Sequence, residues 1–344
     1  MAAEGLRVGI VGAGFMAQVH AESLVAMDAC LAGFASRAED VLDDVTARFG
    51  GRAYGSFDEL VGDVDVVDVC APTHLHHDLV LAAAAAGRHV ICEKPLARTP
   101  EQARQMIAAC ERAGVHLLVA HVVRFFPEYA AARAAVAAGE LGEPAVVRLA
   151  RLTSGPRKAQ DNWFVEEEKS GGMVLDLMVH DFDYARWVAG DVASAYAKGF
   201  AAPGEAGLAR HVLALLRHAS GAISHIEGSW AYPLPTFLTR GEIAGASGLL
   251  SWDSTETAPV RTALAGDGAA VGEVLLPESP VRESPYTTQL RHFLRVLEGG
   301  ETPIVTAADG LAALEVAEAV AESLRTGAPV ELAGAGARPA EVGA

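Results

Sequence analysis

The chain has 344 residues and a formal net charge of −17, with 51% hydrophobic and 21% charged residues. That length suits about two domains of ~150 residues each, and the composition is that of a soluble globular enzyme. An acidic surface repels phosphate backbones and anionic lipid, so we expect neither a nucleic-acid nor a membrane partner.

The four cysteines show no spacing typical of a disulfide or zinc framework. Cys70 and Cys92 stand in apolar runs, where a thiol behaves as a small hydrophobic group. The N-terminus leads almost directly into a predicted strand, without a signal-peptide pattern, and no apolar run could span a bilayer. We therefore expect a protein of the reducing cytoplasm.

The first third of the chain alternates short apolar runs with helical segments. The helix "TPEQARQMIAACERAG" has Thr99 as its cap, Pro100 at its first position and Gly114 as its stop. Strands separated by helices in this way predict a doubly wound parallel sheet. The predicted strands are "LRVGIV", "CLAGFAS", "VDVVDVCAP", "HVICEKP" and "VHLLVAHVV".

The pattern changes after about Val122. Longer, partly alternating runs such as "PAVVRLARLTS" and "GAISHIEGSWAY" predict a mixed or antiparallel sheet with one face covered, and two helices follow. We predict a nucleotide-binding domain over 1–122, an α/β domain over 123–334 and a flexible tail over 335–344.

A glycine turn joins the first predicted strand to a helix. Gly12, Gly14 and Ala17 form G-x-G-x-x-A in "VGIVGAGFMAQVH". Gly12 permits the tight turn, Gly14 lets the main chain approach a pyrophosphate, and Ala17 allows close helix–strand packing. Because the helix N-terminus then faces the anion, the pattern predicts dinucleotide binding.

The end of the second predicted strand bears on the choice of dinucleotide. An acidic residue there would bind the ribose hydroxyls of NAD, but Ser36 and Arg37 stand in its place. A hydroxyl and a guanidinium suit a 2′-phosphate, which favours NADP over NAD. Glu39 and Asp40 follow closely and could offset the charge of the arginine.

A histidine cluster follows the third predicted strand in "APTHLHHDL". The pattern H-x-H followed by an acid suggests a dinuclear metallohydrolase, but His77 fills the place of a spacer and no later histidine-rich loop completes the site. We therefore predict no metal. The loop leaves the carboxyl end of a strand, so one of His74, His76 and His77 is expected near the cofactor.

Two further stretches carry chemistry. In "HVICEKPLA", Glu93 and Lys94 stand at the carboxyl end of a strand, where their charges are expected to face the cofactor cleft. In "SGGMVLDLMVHDFDYARWV", Asp176 and His180 are four residues apart and are predicted to share one helix face. A carboxylate beside an imidazole suits a general base, although such a pair can also be structural.

The order GAGFMA, CEKP and GG-x-x-x-D-x-x-x-H resembles the glucose–fructose oxidoreductase, inositol dehydrogenase and rhizopine-catabolism (Gfo/Idh/MocA) family, over nearly the whole chain. The family implies an N-terminal Rossmann domain and a C-terminal α/β domain with a large open, mostly antiparallel sheet. Its catalytic residues fall on Lys94, Asp176 and His180. Its cofactor contacts fall on the residues Gly12, Gly14, Phe15, Met16, Ala71, Pro72, Thr73, His76, Glu93 and Tyr286.

The resemblance implies hydride transfer between a nicotinamide cofactor and a carbinol or keto carbon of a sugar, cyclitol or related polyol. His180 would take the hydroxyl proton, and Asp176 would orient that imidazole or hold a neighbouring substrate hydroxyl. Lys94 would stabilise alkoxide charge and help fix the nicotinamide ribose, and Glu93 would hold Lys94 or the local backbone. Arg124 and Asn162–Trp163 are candidate substrate contacts, with a salt bridge and a core position as their structural alternatives. Where a third glycine is common, this chain has SGGM, so a stiffer turn is expected.

Two alternatives stay open at this level. A chain of this fold could be a nucleotide-sensing regulator without catalysis, which the retention of Lys94, Asp176 and His180 argues against. It could also keep its cofactor bound through an oxidation followed by a reduction. A homodimer or homotetramer is expected by analogy, because exposed sheets in such second domains often pair between subunits.

Overall fold

The computed structural model describes residues 5–156, 162–201, 209–233, 236–256, 260–264, 272–273 and 283–332. The described strands are β1 Val8–Val11, β2 Leu31–Ala35, β3 Arg52–Tyr54, β4 Val66–Val69, β5 His89–Cys92, β6 Leu117–Val119, β7 Pro144–Thr153, β8 Val192–Ala201, β9 Ala209–His218, β10 Ile223–Ser229, β11 Phe237–Gly245, β12 Gly248–Asp253, β13 Val260–Leu264, β14 Gly272–Glu273 and β15 Val330–Glu331.

The described α-helices are α1 Phe15–Ala26, α2 Glu39–Phe49, α3 Phe57–Asp63, α4 His76–Ala85, α5 Pro100–Ala113, α6 Pro127–Ala137, α7 Glu167–Ser170, α8 Gly172–Asp176, α9 Val179–Ala189, α10 Pro285–Leu297 and α11 Ala307–Thr326. Short 3₁₀ turns cover Thr73–Leu75, Val122–Phe125 and Trp163–Val165. Across the described helices, none has both the length and the apolar character that a bilayer span requires.

The chain forms two compact units. The first comprises the described parts of Met1–Phe125 and Val281–Leu311, and the second those of Phe126–Pro280 and Ala312–Ala344. The domain bounds 1–122 and 123–334 remain a prediction.

The first unit is built on a six-stranded sheet in the order β3-β2-β1-β4-β5-β6, and every described pair in it is parallel. The predicted doubly wound parallel sheet is therefore confirmed. One register row runs across it through Ala35, Val11, Val69, Cys92 and Val119. Because these residues end their strands together, the loops that follow all leave from one edge of the sheet.

The helices of the first unit follow their sequence signals where the caps are strong. In α5 the hydroxyl of Thr99 accepts a hydrogen bond from the main-chain N–H of Gln102, Pro100 is the first residue, and Gly114 adopts the left-handed conformation at φ 68°. These contacts satisfy main-chain groups at both ends of the helix.

The sequence patterns missed β3 and α3, which lie between α2 and β4. Of the three residues in β3, Tyr54 alone is buried, so no apolar run marks the strand. The seven-residue α3 is set by its cap, because Ser56 accepts a hydrogen bond from the main-chain N–H of Glu59. Such short elements owe their structure to packing against the sheet more than to local pattern.

The second unit is built on a nine-stranded sheet in the order β14-β13-β12-β11-β7-β10-β9-β8-β15. Among its described pairs only β7 and β10 run parallel, so the predicted large and mostly antiparallel sheet is confirmed. Buried and exposed residues alternate along β9. One face of the sheet is covered by helices that include α8 and α9, and the other carries exposed side chains.

A buried ion pair ties the covering helix layer to this sheet. The guanidinium of Arg151 on β7 donates two hydrogen bonds to the carboxylate of Asp181 on α9, at 2.9 and 3.0 Å. The side chains are 6% and 0% exposed. Parallel hydrogen bonds of this kind satisfy both charges in a setting that water does not reach.

Replacing Arg151 by Met leaves the Asp181 carboxylate buried without its partner, so we expect a loss of about 3–5 kcal/mol in the free energy of unfolding. Urea denaturation followed by tryptophan fluorescence measures this. The double variant Arg151→Met/Asp181→Leu should recover most of the loss. As a control, Arg148→Met removes an exposed arginine of the same strand and should cost no more than about 1 kcal/mol. Equal losses for both arginines would contradict the assignment.

Candidate active site

The glycine turn has the geometry that a dinucleotide site requires. Gly12 has a φ of 120°, and a Cβ atom there would lie 2.5 Å from the carbonyl oxygen of Cys70. Gly12 is therefore fixed by packing between β1 and β4. Gly14 precedes α1 and is exposed, and a Cβ atom there would meet nothing within 4 Å. The space beside Gly14 is open for a ligand.

The N-terminus of α1 offers main-chain donors. None of the described side chains caps it through a hydrogen bond, and its first turn contains no acidic residue. Phe15, its first residue, is 77% exposed, and Met16 is half-buried. A helix N-terminus with uncapped N–H groups is suited to an anion such as a pyrophosphate.

The end of β2 carries the residues expected to select the cofactor. Ser36 is half-buried, and its hydroxyl accepts a hydrogen bond from the main-chain N–H of Ala38 at 3.2 Å. Arg37 is exposed. The side chains of Glu39 and Asp40 lie outside the described part of the structure.

The loop after β4 is joined to the loop after β5 by His76. Its Nε2 lies 2.8 Å from the carbonyl oxygen of Ala71, and its Nδ1 lies 3.0 Å from that of Pro95. The ring is buried, and burial lowers the pKa of His76. The imidazole thus holds protein main chain, and its predicted contact with the cofactor remains a prediction. Pro72 is half-buried and Thr73 is buried.

His77, from the same histidine cluster, has partners of its own. His77 lies 2.8 Å from Asp78 and 2.8 Å from Gln105. Within the described residues, the group of three potential metal ligands consists of His20, Asp68 and Cys70.

Glu93 points into the protein, which corrects the expectation that its charge faces the cleft. It is 6% exposed, and its Oε1 lies 3.2 Å from Nε2 of His20. Its Oε2 accepts a hydrogen bond from the main-chain N–H of Lys94 at 3.1 Å. Lys94 is half-buried, and the peptide bond between Lys94 and Pro95 is cis.

The sequence patterns missed His20, which is fully buried on α1. Its Nδ1 lies 2.8 Å from Oδ2 of Asp68. Asp68 itself is 0% exposed within β4. A carboxylate inside an apolar strand needs a buried partner, so Asp68 in "VDVVDVC" was the signal that could have led to this pair.

Two predicted contacts on other elements also lie in the first unit. Tyr286 is half-buried at the start of α10, and the next residue, Thr287, donates a hydrogen bond to Ser23 of α1 at 3.1 Å. Arg124 is 3% exposed. Its guanidinium lies 3.2 Å from Asp309 and donates to the carbonyl oxygen of Ile304 at 2.8 Å. This buried pairing favours the structural alternative for Arg124.

In the second unit, Asp176 and His180 do not lie on one uninterrupted helix, which corrects that expectation. Asp176 ends α8 and His180 is the second residue of α9. At the junction, Met178 donates its main-chain N–H to the carbonyl oxygen of Met173, five residues back, at 3.2 Å. Such a widened turn changes the angular spacing of the side chains on either side of it.

Asp176 and His180 nevertheless both keep an accessible part. Over residues 172–185, all of which are described, they are the two residues that are not buried. The widened turn therefore leaves an acid and an imidazole partly accessible in an otherwise buried segment. This arrangement can hold a polar ligand and accept a proton from it.

The turn before α8 uses both glycines. Gly171 and Gly172 have φ values of 79° and 67°. Ser170, which stands where a third glycine is common, donates its hydroxyl to Phe164 and accepts a hydrogen bond from the main-chain N–H of Gly172 at 2.9 Å. The serine is therefore compatible with the turn and ties its two ends together.

Asn162 and Trp163 precede this turn. Asn162 donates to the carbonyl oxygen of Pro156 at 3.2 Å, and Trp163 stacks on Phe164 with ring centroids 3.9 Å apart. Both residues are half-buried, so each keeps an accessible part.

Two family models match the chain. The first, an oxidoreductase family with an NAD-binding Rossmann fold, matches residues 6–121. The second, the Gfo/Idh/MocA C-terminal domain, matches residues 129–251. The chain belongs to the Gfo/Idh/MocA oxidoreductase family.

Individual relatives extend over most of the chain. The 1,5-anhydro-D-fructose reductase of Ensifer adhaerens is 35% identical and matches over 82% of this chain and 84% of its own. The myo-inositol 2-dehydrogenase of Thermotoga maritima is 32% identical over 95% of this chain and 98% of its own. The crystal structure of GenD2 from gentamicin A biosynthesis in complex with NAD superposes with a TM-score of 0.84 at 31% identity, covering 96% and 97% of the two chains.

These matches confirm the predicted family, its two-part α/β fold and an oxidoreductase that acts on CH–OH groups of sugars or polyols. The cofactor is confirmed as a nicotinamide dinucleotide. Relatives include an NAD-dependent scyllo-inositol 2-dehydrogenase and an NADP-dependent D-xylose 1-dehydrogenase, so family membership does not choose between the two.

For this family member, Gly14→Ala is expected to weaken NADH and NADPH binding by at least about tenfold, because the new methyl group occupies the space that the pyrophosphate needs. Folding should be unaffected, since the Cβ atom meets no protein atom. Nucleotide fluorescence titration and urea denaturation measure the two properties. Gly62→Ala, also free of contacts, is the matched control. Unchanged nucleotide affinity in Gly14→Ala would place the pyrophosphate elsewhere.

Proposed function

We propose that the protein interconverts a secondary alcohol and a ketone, or a lactol and a lactone, on a cyclic polyhydroxylated substrate of the sugar or cyclitol class. The observation that carries this proposal is the pair of half-buried residues Asp176 and His180, which occurs in a chain that also has the glycine turn and Lys94. Relatives named as an anhydroketose reductase and an inositol dehydrogenase support the substrate class.

His180 acts in this proposal as the base that takes the hydroxyl proton during oxidation and returns it during reduction. Asp176 orients the imidazole or holds a neighbouring substrate hydroxyl. Lys94 stabilises negative charge on the reacting oxygen through its ammonium group. A bound nicotinamide supplies the hydride chemistry, while these side chains supply position, charge and proton transfer.

We expect Lys94→Met to lower kcat/KM by about 10²–10³, because it removes the charge that faces the developing alkoxide. His180→Gln should lower it by about 10²–10⁴ through loss of the base. A panel of cyclitols, aldoses and keto-sugars, assayed by nicotinamide absorbance, first identifies the substrate. Lys198→Met and His211→Gln, which alter partly accessible side chains of the sheet, serve as controls. Near-normal turnover in Lys94→Met or His180→Gln would remove that residue from the mechanism.

NADP is the preferred cofactor in our proposal. The hydroxyl of Ser36 and the exposed guanidinium of Arg37 stand where an acidic residue would select NAD. Arg37 can donate charge-assisted hydrogen bonds to a 2′-phosphate, which NAD lacks.

Arg37→Gln should therefore weaken NADPH binding by about tenfold and change NADH binding by less than about twofold. Parallel fluorescence titrations with the two nucleotides measure this difference. Equal loss for both, or tighter wild-type binding of NADH than of NADPH, would contradict the preference.

The proposed assembly is a homodimer or homotetramer that forms through the uncovered face of the second sheet. This face carries Leu213 and Leu215 on β9, which are 40% and 45% exposed, and Ile223 on β10, which is 50% exposed. Charged residues of both signs lie beside them on β7 and β11, among them Arg148 and Glu242. A mixed apolar and charged surface of this kind suits a two-fold contact.

Leu213→Glu/Leu215→Glu is expected to convert the assembly to monomers, because it would bury two charges in the contact. Light scattering after size exclusion gives the mass. Val25→Glu on α1, also an exposed apolar site, should keep the wild-type mass. A monomeric wild type, or an unchanged mass in the double variant, would exclude this face.

Cytoplasmic location remains a prediction from the sequence.

A further inference from the structure

A buried row of three ionisable side chains lies under the strand-end edge of the first unit. Asp68 on β4, His20 on α1 and Glu93 after β5 are 0%, 0% and 6% exposed. His20 Nδ1 lies 2.8 Å from Asp68 Oδ2, and His20 Nε2 lies 3.2 Å from Glu93 Oε1. The proposed reaction makes no use of His20 or Asp68.

The two carboxylates on either side of the His20 ring favour a charged imidazole. A neutral imidazole has one N–H and one lone pair, whereas an ionised carboxylate only accepts hydrogen bonds. Nδ1 of His20 lies at hydrogen-bond distance from Asp68. Nε2 lies 3.2 Å from Oε1 of Glu93 as an ion-pair contact without hydrogen-bond geometry, and carboxylates on both sides of the ring favour the imidazolium. Burial alone would lower the pKa of His20, but electrostatic interactions and hydrogen bonds with Asp68 and Cys70 together outweigh burial and raise that pKa well above its ordinary value.

Glu93 connects this row to Lys94. Its Oε1 faces His20, and its Oε2 accepts the hydrogen bond from the main-chain N–H of Lys94 at 3.1 Å. Burial favours the neutral acid, but the neighbouring His20 and Lys94 together outweigh burial and lower the pKa of Glu93. An ionised Glu93 has an acceptor for each of its two partners, and a neutral carboxyl would not serve both equally.

We infer that His20 is a positioning residue, which fixes the main chain at Lys94 through the chain Asp68–His20–Glu93. This inference rests on the role proposed above for Lys94. His76 holds the following residue, since its Nδ1 lies 3.0 Å from the carbonyl oxygen of Pro95. The lysine is thereby held on both sides, and a small displacement of a catalytic group can lower a rate by about 10².

The ionisable groups that face His20 come from two elements besides α1. β4 contributes Asp68 and Cys70, whose Sγ lies 3.4 Å from Nδ1, and the loop after β5 contributes Glu93. Burial raises the pKa of the Cys70 thiol, so Cys70 is neutral at physiological pH. Asp68 and Glu93 then place two negative charges beside the positive imidazolium of His20, which compensates part of their charge inside the unit.

The first test uses the wild-type protein. At about pH 8, above the ordinary histidine pKa of about 6.5, ¹⁵N NMR of labelled protein should show hydrogens on both ring nitrogens of His20. A singly protonated ring overturns the inference. A stoichiometric metal in the purified protein also overturns it, since His20, Asp68 and Cys70 would then be ligands.

The second test separates positioning from structural support. His20→Gln and Glu93→Gln should each lower kcat about 10- to 100-fold with little change in KM. The double variant should be no worse than Glu93→Gln by more than about twofold, because both changes break one chain. The main-chain N–H of Lys94 should exchange with solvent at least about tenfold faster in each variant. If the losses in kcat of the two single variants add in the double variant, and the exchange rate of the Lys94 N–H is unaltered, the role of His20 is merely structural.

His218→Gln is the matched control. His218 is 1% exposed, and its ring nitrogens bond to Gly190 and Ser224 at 2.7 Å. It should lower stability and leave kcat unchanged. If His20→Gln does not fold, the wild-type spectrum together with the kcat and Lys94 exchange of Glu93→Gln decides the inference. Full activity in Lys94→Met would refute the proposed function, whereas full activity in His20→Gln with an inactive Lys94→Met would refute only the positioning role.

Discussion

The common register of the parallel strand ends in the first unit is the constraint on which the rest of the site depends. Val11, Val69 and Cys92 lie in one row across β1, β4 and β5, with neighbouring strands about 4.8 Å apart. The next residues along each strand therefore lie side by side at the edge of the sheet. At this edge Gly12 packs on the carbonyl oxygen of Cys70, so a side chain at position 12 would push the two loops apart.

The same register explains why charge is buried beneath the edge. β4 brings Asp68 to one ring nitrogen of His20 on α1, and the end of β5 brings Glu93 to the other ring nitrogen. His20 lies between these carboxylates, within hydrogen-bond distance of Asp68 and in an ion-pair contact with Glu93. Without the imidazolium, two buried carboxylates would lack a cationic partner at a cost of several kcal/mol. One side chain thus stabilises the unit and connects its core to Lys94.

The sequence alone predicted those elements whose local residue pattern is compatible with one conformation. The glycine turn, the Thr99 cap and the apolar runs of the parallel strands are such patterns. It was insufficient where distant residues decide the structure: the pairing of Asp68 with His20, the parallel contact of β7 with β10, and β3 with its single buried side chain. The i, i+4 spacing of Asp176 and His180 predicted one shared helix face. Both side chains are partly accessible, but a widened turn interrupts the helix between them.

The central claim is that this Gfo/Idh/MocA family member transfers hydride between a polyol carbon and nicotinamide. The most direct measurement uses a substrate deuterated at the reacting carbon and follows the label by mass spectrometry. We expect one deuterium in the reduced nicotinamide ring, and we expect this transfer to be slow in Lys94→Met and His180→Gln. Tight nucleotide binding with no label transfer from any member of a sugar and cyclitol panel would contradict it and would indicate a nucleotide sensor.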